Sequence, residues 1–196
     1  MEKGDKNLKR FLPLFEKIDA KLQSGRVILA IEGGSASGKT TISQTLKEIY
    51  DCTVFHMDDF FLRPEQRTRE RFKEIGGNVD RERFLEEVLI PLKDGKPITY
   101  RPFDCSTLSL CSPITVTLKK LVVIEGAYSM HKELEPFYDL SVFLDVSPEI
   151  QKKRIEKRNP PPLAQRFFNE WIPLENVYFE KTDIKNRCDF TILIDQ

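Results

Sequence analysis

Residues 27–41 read VILAIEGGSASGKTT. The first five, Val27–Ile31, form an uninterrupted apolar run of the kind found in a strand buried on both faces. A glycine-rich turn follows, and TTISQTLKEIY after it reads as a helix. Within the turn, Gly33-Gly34-Ser35-Ala36-Ser37-Gly38-Lys39-Thr40 matches G-x-x-x-x-G-K-[ST] without a gap. The strand before it and the helix after it are the context that pattern requires. The glycines let backbone N–H groups turn inward at a helix N-terminus, which makes a nest for phosphate oxygens. Lys39 adds a mobile positive charge, and the Thr40 hydroxyl is placed to ligate Mg²⁺. Gly33–Thr41 is therefore expected to hold the phosphates of a nucleoside triphosphate.

Further apolar runs recur at Thr53–Met57, Leu121–Ile124, Ser141–Val146 and Phe190–Ile194. Helical patterns lie between them at Arg81–Ile90, Pro148–Arg158 and Phe168–Lys185. Strands alternating with helices predict an α/β fold, a mostly parallel five-stranded sheet covered on both faces. Ahead of it, Leu8, Phe11, Phe15, Ile18 and Leu22 have helical spacing, with a kink at Pro13 or a start near Leu12. Residues 95–117 read as a hairpin or loop excursion. Asn159-Pro160-Pro161-Pro162 reads as a break that is not helical. The charged stretch Arg63–Lys73 reads as a solvated helix face.

The 196 residues fit one domain, and 31 basic side chains balance 31 acidic ones. Zero net charge argues against a protein built to coat nucleic acid. No apolar run approaches a membrane span, and the N-terminus lacks the core of a secretory signal. The four cysteines, Cys52, Cys105, Cys111 and Cys188, have no C-x-x-C spacing. Neither a disulfide framework nor a zinc site is expected, and a reducing cytoplasm is the simplest setting.

Ligands of a parallel sheet gather at the carboxyl ends of its strands. Two sets of acids stand there. Asp58-Asp59 closes the strand Thr53–Met57, and either could accept a hydroxyl proton or bind metal. Glu125 ends Leu121–Ile124, where an acid would hold Mg²⁺ or a metal-bound water. Asp145 fits a strand leading into the Ser147 helix cap, a structural role. His56 and His131 are isolated and also read as structural.

Taken in order, Gly33–Thr41, His56-Met57-Asp58-Asp59-Phe60-Phe61, Gly76-Gly77-Asn78-Val79-Asp80, Tyr100-Arg101-Pro102-Phe103-Asp104 and Ile124-Glu125-Gly126 resemble the uridine kinase family of P-loop kinases, with its phosphoribulokinase and pantothenate kinase groups. The resemblance runs from about Val27 to Ile194. It implies a three-layer P-loop NTPase fold of one domain, residues 1–196, with an N-terminal helix (1–24), a substrate-side hairpin (95–117) and a short lid (158–168). It implies ATP and Mg²⁺, and a small-molecule alcohol as partner. Asp58 matches the catalytic base, working with Lys39, and Asp80 the reader of a ribose diol. Tyr100, Phe103 and Asp104 fall on the substrate side. Thr40, Asp58 and Glu125 fall on the metal side, and Arg158 and Arg166 match lid arginines over the phosphates. Where the family's nucleoside kinases carry a base-contacting tyrosine and histidine, this chain has Phe103 and Leu108.

The acceptor expected from this resemblance is a nucleoside, uridine or cytidine, with a sugar phosphate or pantothenate as the alternative. A GTPase switch would need an [NT]-K-x-D motif. The nearest stretch, Glu180-Lys181-Thr182-Asp183, starts with the wrong residue inside a helical pattern. The sequence leaves homo-oligomerisation open.

Overall fold

All five apolar runs become strands of one sheet in the computed structural model, which describes residues 8–195. They are β1 (Val27–Gly33), β2 (Thr53–His56), β3 (Leu121–Glu125), β4 (Leu140–Val146) and β5 (Phe190–Ile194). Their order is β2-β3-β1-β4-β5, and every pairing is parallel. Alternate side chains along each strand enter different cores. Val27, Leu29 and Ile31 of β1 join Leu121 and Val123 of β3 on one face, while Ala30, Val122 and Ile124 join the other. Burial on both faces explains why these strands read as continuous apolar runs rather than as alternating ones.

Helix α1 (Leu12–Leu22) begins where Pro13 costs no hydrogen bond, because first-turn N–H groups have no partner inside a helix. Residues 1–7 of the expected N-terminal helix (1–24) lie outside the described residues. Leu14 and Ile18 of α1 pack with Ile42 and Leu46 of α2 (Lys39–Tyr50) on the first face. The second face is covered by Phe84, Val88, Leu89 and Leu92 of α3 (residues 81–93), and by Tyr178 from a later helix. The result is three layers, helix on sheet on helix, the P-loop NTPase fold.

Two helices contain a wide turn, each just before a proline. In α3 the Ile90 N–H reaches Leu85 O across the π turn Leu85–Leu89, and Pro91 follows. Helix α4 (Pro148–Arg158) carries the expected Ser147 cap. After it, α5 (residues 161–182) repeats the device: Ile172 N–H reaches Phe167 O, and Pro173 follows. A proline ring clashes with the carbonyl four residues back, and the extra residue of a π turn moves that carbonyl aside.

The proline run departs from expectation. Pro160 caps α5, and Pro161 and Pro162 stand in its first turn, where a missing N–H and a fixed φ are suited to a helix start. Arg63–Lys73 is likewise not one helix face. It forms a short turn at Pro64–Gln66 and a five-residue helix, Arg69–Lys73, capped by Thr68. Arg71 ties the following loop by donating to Gly77 O (2.9 Å) and Val79 O (2.7 Å). Residues 95–117 do form an antiparallel excursion, with Ile98–Tyr100 paired to Ile114–Val116 and Phe103–Asp104 to Ser109–Leu110. Among the described residues, no helix is long and apolar enough to cross a membrane.

Candidate active site

The loop between β1 and α2 is strained in the way a phosphate nest requires. Gly33, Ala36 and Gly38 have φ of 149°, 59° and 104°. Any side chain at Gly33 would stand 2.7 Å from Leu144 O. Alanine pays a steric penalty in this region, so the conformation at Ala36 must be imposed by its neighbours. Lys39 Nζ donates to Gly33 O (2.8 Å) and Gly34 O (3.0 Å), folded over the loop it follows. The Ser37 hydroxyl is buried with no hydrogen-bond partner. An orphaned buried hydroxyl in a glycine-rich loop at a helix N-terminus fits a phosphate.

Just before the loop, Glu32 stands next to last in β1 with no exposed surface. It accepts from the N–H groups of Gly33, Tyr128 and Met130 and from the Tyr178 hydroxyl. Burial pushes its carboxyl up to about 7 against the pull of those donors. It staples the loop after β3 to the start of the phosphate loop.

Glu125, at the end of β3, is 5% exposed. Burial would raise its carboxyl, but His56, Lys39 and Thr40 together hold it below the ordinary value. Thr40 Oγ1 donates to Glu125 Oε1 at 3.0 Å, and His56 Nδ1 stands 2.6 Å from the same oxygen. That hydrogen bond raises the His56 pKa. Among the described residues no three His, Cys, Asp or Glu side chains converge as a complete metal cage. Mg²⁺ needs none, because it is bound through one or two carboxylates with phosphates and water. The Thr40–Glu125 pair fits that role. Gly126, next in the chain, must be bare, since a side chain there would meet Met57 Cβ at 2.5 Å.

The neighbours Asp58 and Asp59 separate cleanly. Asp59 Oδ2 accepts from the Tyr100 hydroxyl at 2.8 Å, and its carbonyl accepts from Arg83 at 2.7 Å. Asp58 lines the cleft with Lys39, Thr40 and Glu125. Its surface is open to water in the cleft, but the surrounding walls push its pKa up while Lys39 draws it down. The cleft encloses about 1120 Å³, larger than the roughly 300–1,000 Å³ of a usual ligand pocket and roomy enough for two substrates.

Arg158 and Arg166, which the resemblance matched to lid arginines, line the same cleft. Arg166 pairs with Glu170 (3.2 Å) and lies over Trp171, and Arg158 lies over Phe167. The substrate-side residues are distributed otherwise than expected. Tyr100 is buried against Phe55 and Phe60, and Phe103 is buried beneath Arg67. Asp104 closes its own turn on Ser106. Asp80 is 2% exposed, caps α3 by accepting from Arg83 N–H, and lies beside Arg83 and Arg63. None of these four lines the cleft. The residues that do are Cys105, Ser106 and Leu108 of the hairpin, with Asn78, Phe61, Arg67 and Phe72. For Phe103 and Asp104, a two-residue strand gives no alternation from which to tell inward from outward.

Asp145 pairs with Lys185, and His131 is buried, with burial lowering its pKa to about 4. His56, read as isolated from the sequence, meets Glu125 instead. Its position was readable in principle, because His56 and Glu125 end neighbouring runs and stand in register. Glu175, Gln151 and Arg154, which reach the phosphate loop from distant helices, carried no local signal.

Residues 28–159 match the model of the Phosphoribulokinase / Uridine kinase family. The uridine kinase of Macrococcus caseolyticus is 26% identical over 81% of this chain and 84% of its own length. The bifunctional alpha-galactosidase/sucrose kinase AgaSK of Mediterraneibacter gnavus is 29% identical over 89% of this chain. Several curated relatives are much longer, and the chain spans only 39%, 19% and 21% of three of them. A structure described as a "Possible Uridine Kinase", from Bacillus stearothermophilus, is 27% identical and covers 92% of this chain and 100% of its own, with a TM-score of 0.63.

Proposed function

The chain belongs to the Phosphoribulokinase / Uridine kinase family, and from that premise we propose that it transfers the γ-phosphoryl of ATP to a hydroxyl of a small molecule. The observation that carries this reading is the division of labour between two adjacent acids. Asp59 is spent on Tyr100, while Asp58 faces the cleft that holds Lys39, Thr40 and Glu125.

The chemistry follows from that placement. Asp58 orients the acceptor hydroxyl and takes its proton as the oxygen attacks the γ-phosphorus. The bond from that phosphorus to the β–γ bridging oxygen breaks, and ADP leaves. The loop 33–41 holds the phosphates through those of its amides that Glu32, Glu175 and the loop's own turn leave unbonded, and Lys39 leaves its resting place on the loop carbonyls to meet their charge. Thr40 and Glu125 would hold Mg²⁺, which supplies charge neutralisation on the phosphates. Arg158 and Arg166 close the phosphate end of the cleft as a lid over 158–168, within one domain spanning 1–196. Four free cysteines suit a reducing, cytoplasmic setting.

The family makes a nucleoside, uridine or cytidine, the first acceptor to consider, with Asp80 approaching its diol only if the loop 76–80 shifts. A second reading, another polyhydroxylated metabolite such as a sugar, is favoured by one observation. Phe103 is buried, so the hairpin itself presents Cys105, Ser106 and Leu108 and no ring to stack on a base, the nearby rings Phe61 and Phe72 coming from the segment before it. ADP release from Mg·ATP should be measured against nucleosides, free sugars, sugar phosphates and pantothenate. We expect one class to stimulate release well above the rate without acceptor. Activity confined to uridine and cytidine decides for the nucleoside. No stimulation by any class, with GTP hydrolysed without an acceptor, would replace the kinase by a nucleotide switch.

A further inference from the structure

Ser35 is the third residue of the phosphate loop, and its peptide is gripped from three directions. Glu175 Oε2 accepts the Ser35 N–H at 2.8 Å, and Oε1 accepts the Ser35 hydroxyl at 2.6 Å. Gln151 Nε2 donates to Ser35 O at 2.8 Å. One residue on, Arg154 donates to Ala36 O at 2.9 Å. Gln151 and Arg154 project from α4, which ends at Arg158, and Glu175 projects from α5, whose first turns carry Arg166.

Each part of this grip has a local cause. A side chain at Gly34 would stand 3.0 Å from Gln151 Nε2 and 3.4 Å from Glu175 Oε2, so the bare glycine is what lets both approach. Glu175 is 5% exposed on a helix otherwise carrying its acids in water. It follows the π turn Phe167–Trp171, whose extra residue turns every later side chain by about 100° around the helix relative to a regular one. Ala36, held at φ 59° without a glycine's freedom, comes immediately after the gripped peptide.

We propose that Glu175 is a positioning residue for nucleotide binding: it fixes the Ser35 peptide so that the amides of the following residues stay turned into the cleft. The proposal rests on the loop's binding ATP and extends it to a residue of α5. Glu175 acts through Ser35 and touches no reacting atom. Because its helix continues from the lid, the grip also joins lid and loop mechanically. An amide at this position preserves both contacts. Its oxygen accepts the Ser35 N–H, and its NH₂ donates to the Ser35 hydroxyl, which can accept as well as donate.

The test is direct binding of Mg·ATP by calorimetry to the full chain, beside steady-state kinetics with the acceptor found above. Glu175→Ala should weaken Kd and KM for ATP about tenfold or more, the scale of one lost hydrogen bond to a charged group. Its kcat and acceptor KM should stay within about threefold of wild type, and Glu175→Gln should keep ATP affinity within about threefold. Should Glu175→Ala fail to fold, Ser35→Ala and Gln151→Ala each remove one arm of the grip, and a several-fold loss of ATP affinity from either supports the proposal. Wild-type affinity in Glu175→Ala, or in both single-arm variants, overturns it, as does a loss confined to kcat or acceptor KM. Wild-type protein that does not bind Mg·ATP removes the nucleotide reading and this proposal together.

Discussion

Asp58→Asn is expected to lower turnover by about 10²–10⁴-fold, the range of a positioned general base, while Mg·ATP affinity changes little. Asn keeps the size and one acceptor oxygen, so the cleft wall keeps its shape. What disappears is the proton-accepting charge. The neighbouring variant is the control. Asp59→Asn leaves an amide oxygen for the Tyr100 hydroxyl, now bonded at 2.8 Å to a carboxylate, so it should cost stability rather than chemistry. Steady-state rates and thermal unfolding of both variants separate the two roles. If Asp59→Asn proved the catalytically damaging change, the assignment of the base would be reversed.

The second large effect is expected at Lys39. Removing its ammonium by Lys39→Ala should reduce kcat/KM for ATP by at least about 10²–10³-fold, as for loss of one preorganised electrostatic donor. The resting contacts to Gly33 O and Gly34 O are two hydrogen bonds outside both apolar cores, so their loss is expected to change the fold little. Single-turnover rates and the thermal midpoint would show this as a catalytic defect in a folded protein. A near-normal rate would mean that the phosphates bind elsewhere.

The strands could be read from the sequence because burial leaves each with a run of apolar residues and few polar ones, and a glycine loop between a strand and a helix is hard to mistake. Asp58 and Glu125 followed from one rule, that acids ending parallel strands face the ligand. The hairpin was not legible at that level. Whether Phe103 points at a substrate or under Arg67 depends on a two-residue pairing and on packing from the segment before it. Prolines misled for a related reason, since a proline's effect depends on where in the helix it falls. Glu175 meets Ser35 across 140 residues of chain, and nothing within either segment announces the meeting.

The match to the family begins at residue 28, after α1 has ended. Yet Leu14 and Ile18 of α1 share an apolar cluster with Ile42 and Leu46 of α2, the helix whose first turn presents Lys39 and Thr40. A shortened version cut at the start of the match would retain every nucleotide-side residue named above and still strip the outer wall from the helix that aims them. The edge of similarity and the edge of the folding unit are thus about sixteen residues apart, and an expression boundary for this protein belongs ahead of α1.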